Sequence, residues 1–120
     1  MAGVSIVVPT VNEADNIDPL FERIFAAKIP EEVALEIIVV DDSSTDDTRE
    51  RVRRWTQQKP VTLICREDRA GLAKAVVTGA RAAAFEYVLV MDADLSHPPE
   101  KIAEMLQPLL DGECDMVIGS

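Results

Sequence analysis

No run in this 120-residue sequence approaches the ~20 apolar residues that a membrane-spanning helix requires. No secretory signal opens it, because Val4 to Val8 is too short for an apolar core segment and is interrupted by Ser5. The two cysteines, Cys65 in an apolar strand-like run and Cys114 near the end, have neither paired spacing nor a companion cysteine or histidine cluster. That excludes a disulfide framework and a zinc site, and leaves buried, reduced thiols in a cytosolic setting. The sole histidine, His97, reads as a polar loop residue. Lys and Arg number 12 against 22 Asp and Glu, and the net charge of −10 excludes the basic surface that a nucleic-acid partner needs. The only basic cluster, Arg49, Arg51, Arg53 and Arg54, spreads around a helix and reads as a solvated surface. A glycine-rich phosphate loop is missing too. After the first apolar run the chain reads Pro9-Thr10-Val11-Asn12-Glu13, with neither G-x-G-x-x-G nor a Walker lysine, which disfavours NAD enzymes and P-loop ATPases.

What is present is an apolar content of 48%, enough for one ordinary domain to build a core unaided. Short apolar runs alternate with helical patterns, and no Gly/Ser linker or repeat breaks the rhythm, which is the βαβα signature of an α/β domain with a parallel sheet. Val4 to Val8 gives the first strand, closed by Pro9. Asn12 is expected to cap a helix with Glu13 and Asp15 in its first turn and Ile17, Leu20, Phe21, Ile24 and Phe25 as its buried stripe. Glu36 to Val40 forms the second strand, after which Ser44 or Thr45 caps a polar helix reaching about Gln58. Val61 to Cys65 is the third strand. Gly71 opens a helix whose inner face, Leu72, Ala75, Val76, Gly79, Ala82 and Ala83, is mostly small and suits close packing on a sheet. Tyr87 to Met91 is the fourth strand. Pro98 and Pro99 set up a helix with Ile102, Met105, Leu106, Leu109 and Leu110 as its stripe, and Asp115 to Ile118 begins a fifth strand.

The most informative stretch is Val88-Leu89-Val90-Met91-Asp92-Ala93-Asp94, an apolar run that ends in two carboxylates one residue apart. Such a run reads as a buried parallel strand with both carboxylates at its carboxyl end, where open α/β sheets bind ligands. Side chains at i and i+2 of an extended segment point the same way, so Asp92 and Asp94 can face one ligand together. Two aspartates that close repel unless a cation neutralises them, and hard divalent ions prefer carboxylate and phosphate oxygens. A metal-bound phosphate site accounts for the pair; helix capping and solvation are the alternative. Asp41 and Asp42 end the second strand at the same edge of the sheet. A carboxylate there can accept a hydrogen bond from a nucleotide base or ribose. Asp42 takes that role, while Asp41 stays open between ligand and turn duty, for which Ser43, Ser44 and Asp46 are also suited. Glu13 is the third acidic group at this edge, serving either the site or the helix N-terminus. Arg66, Arg69 and Lys74 flank Gly71 within reach of a phosphate, though an exposed loop and helix face explains them better.

Taken in order, Ile6-Val7-Val8-Pro9-Thr10-Val11-Asn12-Glu13, Val39-Val40-Asp41-Asp42-Ser43-Ser44, Gly71-Leu72 with Ala75, Met91-Asp92-Ala93-Asp94-Leu95-Ser96-His97-Pro98-Pro99 and Ile118-Gly119-Ser120 resemble the family 2 glycosyltransferases of the GT-A fold. The likeness is greatest to the polyprenyl (dolichyl) phosphate mannose synthases and runs over essentially the whole chain. It implies a three-layer Rossmann-like α/β fold, a mainly parallel sheet flanked by helices. Residues 1–120 would be the donor part of that domain, cut after the fifth strand. The donor implied is a nucleotide-diphosphate sugar, GDP-mannose. By family pattern Pro9, Val11, Glu13, Val40 and Asp42 lie at the nucleoside. Asp92, Ala93, Asp94 and Ser96 lie at the diphosphate and a Mg²⁺ or Mn²⁺ ion held by the catalytic pair Asp92 and Asp94. Val11 stands where the family usually has Tyr, which removes an aromatic ring near the base. Ser96 stands where close relatives often carry Gln as a metal neighbour.

The implied reaction is metal-dependent, inverting transfer of the sugar to a polyprenyl phosphate. Its transition state resembles an oxocarbenium ion while charge grows on the leaving diphosphate, which a divalent ion would stabilise. A phosphate monoester acceptor is already ionised near neutral pH, its second pKa being about 6, and needs no strong general base. Acceptor-side residues are expected beyond Ser120, so this stretch is expected to bind donor yet transfer sugar poorly. The expected setting is the cytoplasm, at the cytosolic face of a membrane, with a homodimer if apolar surface is left uncovered. Three other readings stand beside this one: a family 2 transferase with a different donor or acceptor, a phosphoacceptor receiver, and a non-catalytic α/β binding module. Receivers place an acidic pair after the first strand and the phosphorylated Asp after the third, whereas here the acids follow the second and fourth.

Overall fold

The computed structural model describes residues 3–27, 29, 33–67, 71–94, 102, 104, 107, 111 and 116–119. Five strands, β1 (Gly3–Thr10), β2 (Ala34–Asp42), β3 (Val61–Arg66), β4 (Tyr87–Met91) and β5 (Met116–Gly119), alternate with helices α1 (Ala14–Ala26), α2 (Thr48–Thr56) and α3 (Leu72–Ala82). The strands form one sheet in the order β3-β2-β1-β4-β5, and every neighbouring pair is parallel. This is the Rossmann-like order 3-2-1-4-5; a receiver domain has the flavodoxin-like order 2-1-3-4-5. Residues 102, 104 and 107 are helical, and Ile102 is buried in the core as expected. Pro98, Pro99, Met105, Leu106, Leu109 and Leu110 lie outside the described residues, as do Cys114 and Asp115.

Strand alternation divides the core into two layers. Val4, Ile6 and Val8 of β1, Ile37 and Val39 of β2, and Leu89 and Met91 of β4 share one cluster with Ile17, Leu20, Phe21 and Ile24 of α1 and Val52 of α2. Val7, Ile38, Val40, Val88 and Val90 form the other, with Ala75 of α3. Both faces of the central strands are therefore buried, which is why these strands read as continuous apolar runs. Trp55 of α2 packs edge-on to Phe21, ring centroids 5.5 Å apart, and stacks on Phe25 at 5.9 Å. Its indole N–H donates to Asp18 of α1 at 2.8 Å, so one aromatic joins the two helices of this layer. On the other face α3 approaches closest at Gly79, where a Cβ would lie 2.4 Å from Val7 Cγ1 and 3.3 Å from Val40 Cγ2.

Several expectations are corrected. Pro9 does not close β1, which continues to Thr10; β4 pairs with β1 only as far as Val7, so Pro9 has a strand on one flank and its missing N–H is tolerated. The second strand is longer than Glu36 to Val40: β2 runs Ala34–Asp42 and takes in the two aspartates expected at its end. Cys65 is exposed, because β3 is an edge strand of the sheet. Leu72 is 61% exposed and Ala82 is exposed as well, since they sit at the two ends of α3 while its middle, at Ala75 and Gly79, makes the contact with the sheet.

Candidate functional site

In a doubly wound sheet the connections leave on opposite faces where the strand order reverses, here between β1 and β4, and a crevice opens at the carboxyl ends. A cleft of about 380 Å³ is lined by Pro9, Thr10, Val11 and Glu13 at the end of β1 and Val40 and Asp42 of β2. Gly71, Leu72 and Ala75 at the start of α3, with Asp92, Ala93 and Asp94 after β4, complete the lining. The structure thus brings together Pro9, Val11, Glu13, Val40, Asp42, Asp92, Ala93 and Asp94, while Ser96 lies outside the described residues, as do Arg69 and His97. Thr10, Gly71, Leu72 and Ala75 also line the cleft; from sequence Gly71 is expected to open a helix with Leu72 and Ala75 on its inner face, and none of the four is assigned to the site. Their signal is their place in the segments that carry the resemblance, together with the reversal point, which gathers the strand ends at that edge. Lys74 is exposed on α3.

Alternation along β2 separates its two aspartates. Asp41 is fully buried and faces α2. Its Oδ1 accepts from Thr10 Oγ1 at 2.6 Å and Ser44 Oγ at 2.5 Å, and its Oδ2 from the Ser44 N–H at 3.1 Å and Arg49 Nε at 2.6 Å. Burial pushes the Asp41 carboxyl up, but hydrogen bonds from Ser44, Thr10 and Arg49 outweigh it and hold the group below its ordinary value. The bond to Asp41 in turn raises Arg49, and so does a second one to Glu67 at 2.7 Å. Asp41 is therefore a structural residue, and Arg49 is not the solvated side chain its cluster suggested. Arg51 pairs with Asp18 and Asp47, each at 3.3 Å, while Arg53 and Arg54 are exposed.

Asp42 faces the other way and lines the cleft. Its Oδ2 accepts from Arg66 Nη2 at 3.2 Å, with the two side chains 10% and 11% exposed. Its Oδ1 is buried and has no hydrogen-bond partner among the described residues. A buried carboxylate oxygen with unused lone pairs at a cleft suits an N–H or O–H donor on a ligand.

The turns that carry these residues cap each other. Asn12 does not cap α1; it lies at φ 53°, and its Oδ1 accepts from the backbone N–H groups of Thr45 at 2.7 Å and Asp46 at 3.3 Å. In return the N–H groups of Asn12, Glu13 and Ala14 donate to Ser44 Oγ at 2.8 Å, Thr48 Oγ1 at 2.9 Å and Asp46 Oδ2 at 3.3 Å. The open amides at the start of α1 are thus satisfied from the β2–α2 turn. Ser44 and Thr45 likewise do not cap α2, which begins at Thr48; Asp46 accepts the Thr48 hydroxyl and, at 3.0 Å, its N–H. Glu13 also accepts from Asn16 Nδ2 at 2.7 Å. Gly71 supplies a backbone conformation, φ +96°, that side chains other than glycine rarely adopt.

Ala93 and Asp94 form a turn rather than an extended continuation of β4, yet Asp92, partly buried, and Asp94, exposed, both line the cleft. No group of three or more His, Cys, Asp and Glu that could hold a metal converges among the described residues. Two carboxylates still fit Mg²⁺ or Mn²⁺, since such ions are commonly held by one or two carboxylates with substrate phosphate oxygens and waters completing the shell. No helix among the described residues is long and apolar enough to cross a membrane.

Comparison with known proteins gives a consistent picture. The sequence model of the family described as "Glycosyl transferase family 2" matches residues 5–120. The dolichol-phosphate mannosyltransferase of Pyrococcus furiosus is 41% identical over 117 residues, 98% of this chain and 32% of its own length. Its namesake from Saccharomyces cerevisiae is 40% identical over 109 residues, 89% of this chain and 41% of its own. The structure of a mannosyltransferase from Pyrobaculum calidifontis in complex with GDP-Man and Mn²⁺ superposes with a TM-score of 0.74 at 37% identity, covering 86% of this chain and 31% of that one. The chain therefore spans about a third to two fifths of the length of these relatives.

Proposed function

The chain belongs to glycosyl transferase family 2, and from that membership and the cleft we propose that it binds GDP-mannose as the donor part of a polyprenyl-phosphate mannosyltransferase. The convergence in one cleft of Asp42, with its unpartnered buried oxygen, and the pair Asp92 and Asp94 on the other flank of β1 carries the reading. Asp42 Oδ1 accepts a donor of the base or ribose, with Pro9, Val11 and Val40 as the apolar wall beside it and Glu13 at its rim. Asp92 and Asp94 would hold Mg²⁺ or Mn²⁺ at the diphosphate, with Ala93 between them and Ser96 two residues on in sequence. Held there, the ion would supply Lewis-acid stabilisation of the charge that grows on the departing diphosphate. The names of the relatives, and GDP-Man with Mn²⁺ in the Pyrobaculum calidifontis structure, support mannose, guanosine and a divalent ion over other choices.

A polyprenyl phosphate acceptor suits a cleft whose titratable lining consists of carboxylates, because an ionised phosphate attacks without a strong general base. Its lipid would bring the protein to a membrane face. Equilibrium dialysis with radiolabelled GDP-mannose tests the reading. Retention that unlabelled GDP displaces and Asp42→Ala weakens by about ten- to a hundredfold is expected; no retention, or equal retention by Asp42→Ala, overturns it.

A further inference from the structure

Arg66 ends β3 opposite Asp42 in the register of β2 and β3. Its backbone carbonyl accepts three donors, the Ser43 N–H at 2.9 Å, Ser43 Oγ at 3.2 Å and Arg49 Nη2 at 3.1 Å, so its main chain is anchored to the β2–α2 turn and to α2. From that anchor the guanidinium reaches in two directions. Nη2 donates to Asp42 Oδ2 and to the Gly71 carbonyl, each at 3.2 Å. One nitrogen thereby joins the carboxylate of β2 to the residue that opens α3, and both of those residues line the cleft. Arg66 itself is not among the described residues that line it.

The pairing is also incomplete in an informative way. An arginine and a carboxylate usually meet as a bidentate fork, which would use both oxygens. Here Asp42 Oδ1 and Arg66 Nε are both buried without a hydrogen-bond partner among the described residues. Leaving such groups unpaired is costly, and a bound ligand can offset the cost.

We propose that Arg66 is a positioning residue for nucleoside recognition. By occupying only Oδ2, from a guanidinium steadied on the Gly71 carbonyl, it keeps Asp42 turned so that Oδ1 accepts a nucleoside donor. The role rests on the donor-site reading above, and it acts through Asp42 rather than on the phosphates.

The test is calorimetric, with GDP and inorganic pyrophosphate as separate probes, both in Mn²⁺. Arg66→Gln is expected to weaken GDP binding by about ten- to a hundredfold, the loss of a charge-assisted hydrogen bond, and to leave pyrophosphate binding unchanged. In an Asp42→Ala background it should add nothing further. Unchanged GDP binding, equal loss of GDP and pyrophosphate, or an additive loss in the Asp42→Ala background overturns the role. If Arg66→Gln does not fold, Arg66→Lys decides: it keeps the charge without the guanidinium's geometry, so GDP should weaken several-fold with pyrophosphate unaffected, and GDP binding equal to the parent overturns the role. A parent chain that binds no GDP sinks the donor-site reading itself, a separately recognisable result.

Discussion

The side-chain oxygen of Asn12 accepts the backbone N–H of Thr45 at 2.7 Å, joining the turn after β1 to the turn after β2 across 33 residues of sequence. Asn12 sits at φ 53°, a conformation that asparagine tolerates better than most residues, and from there it serves two amides at once. Asn12→Ala removes both bonds and strains the backbone. A loss of about 1–3 kcal/mol in urea-induced unfolding is expected. Unchanged stability would mean that the two turns hold their shape independently.

Gly79→Ala puts a Cβ 2.4 Å from Val7 Cγ1 at the tightest approach of α3 to the sheet. Overpacking of this kind costs about 1–3 kcal/mol, against about 1 kcal/mol that alanine contributes as a better helix former. Net destabilisation is expected in the parent, and less or none in a Val7→Ala background, where the two nearest methyl groups are gone and Val40 Cγ2 at 3.3 Å is the closest that remains. Equal effects in both backgrounds would contradict the contact.

Asp41 links stability to pH. Its folded pKa lies below the ordinary 3.8, so its carboxylate contributes stability fully above that value, and the contribution is lost as pH falls through the folded value. Asp41→Asn is expected to cost about 2–3 kcal/mol at neutral pH, because it removes the charged partner of Thr10, Ser44 and Arg49. The gap between parent and variant should shrink as the pH is taken down to about 2. A gap that stays constant in acid-to-neutral denaturation curves would show that charge at Asp41 is irrelevant.

Val11 is half-exposed on the cleft, where the family resemblance implies an aromatic ring near the base. Base stacking on an aromatic ring contributes about 1–3 kcal/mol, so Val11→Tyr is expected to tighten GDP binding by about tenfold or more. No change in a fluorescence-competition titration would place the base elsewhere in the cleft.

The strands and helices were legible because periodicity is local: apolar runs such as Ile37 to Val40 and the stripe Ile17, Leu20, Phe21, Ile24 announce their partners without naming them. Asp92 and Asp94 were legible for the same reason, ending a run whose burial forces them to the sheet's rim. The caps were not. Asn12, Ser44 and Thr48 satisfy amides in another turn, and a contact across more than thirty residues leaves no mark on local spacing. Sequence assigned Asp42 the ligand role but left Asp41 open, since either role suits the residue type; the phase of alternation in β2 turns Asp41 away from the cleft. Arg66 read as a basic residue flanking Gly71 and better explained by an exposed surface, and its pairing with Asp42 became visible only once the β2–β3 register set them side by side.

Titration of GDP into the chain, in Mn²⁺ and again in EDTA, tests most directly whether Asp92 and Asp94 join a nucleoside diphosphate to the sheet through a divalent ion. Binding that needs Mn²⁺ and collapses in Asp92→Ala is predicted. Binding of equal strength in EDTA, or one untouched by Asp92→Ala, would contradict it.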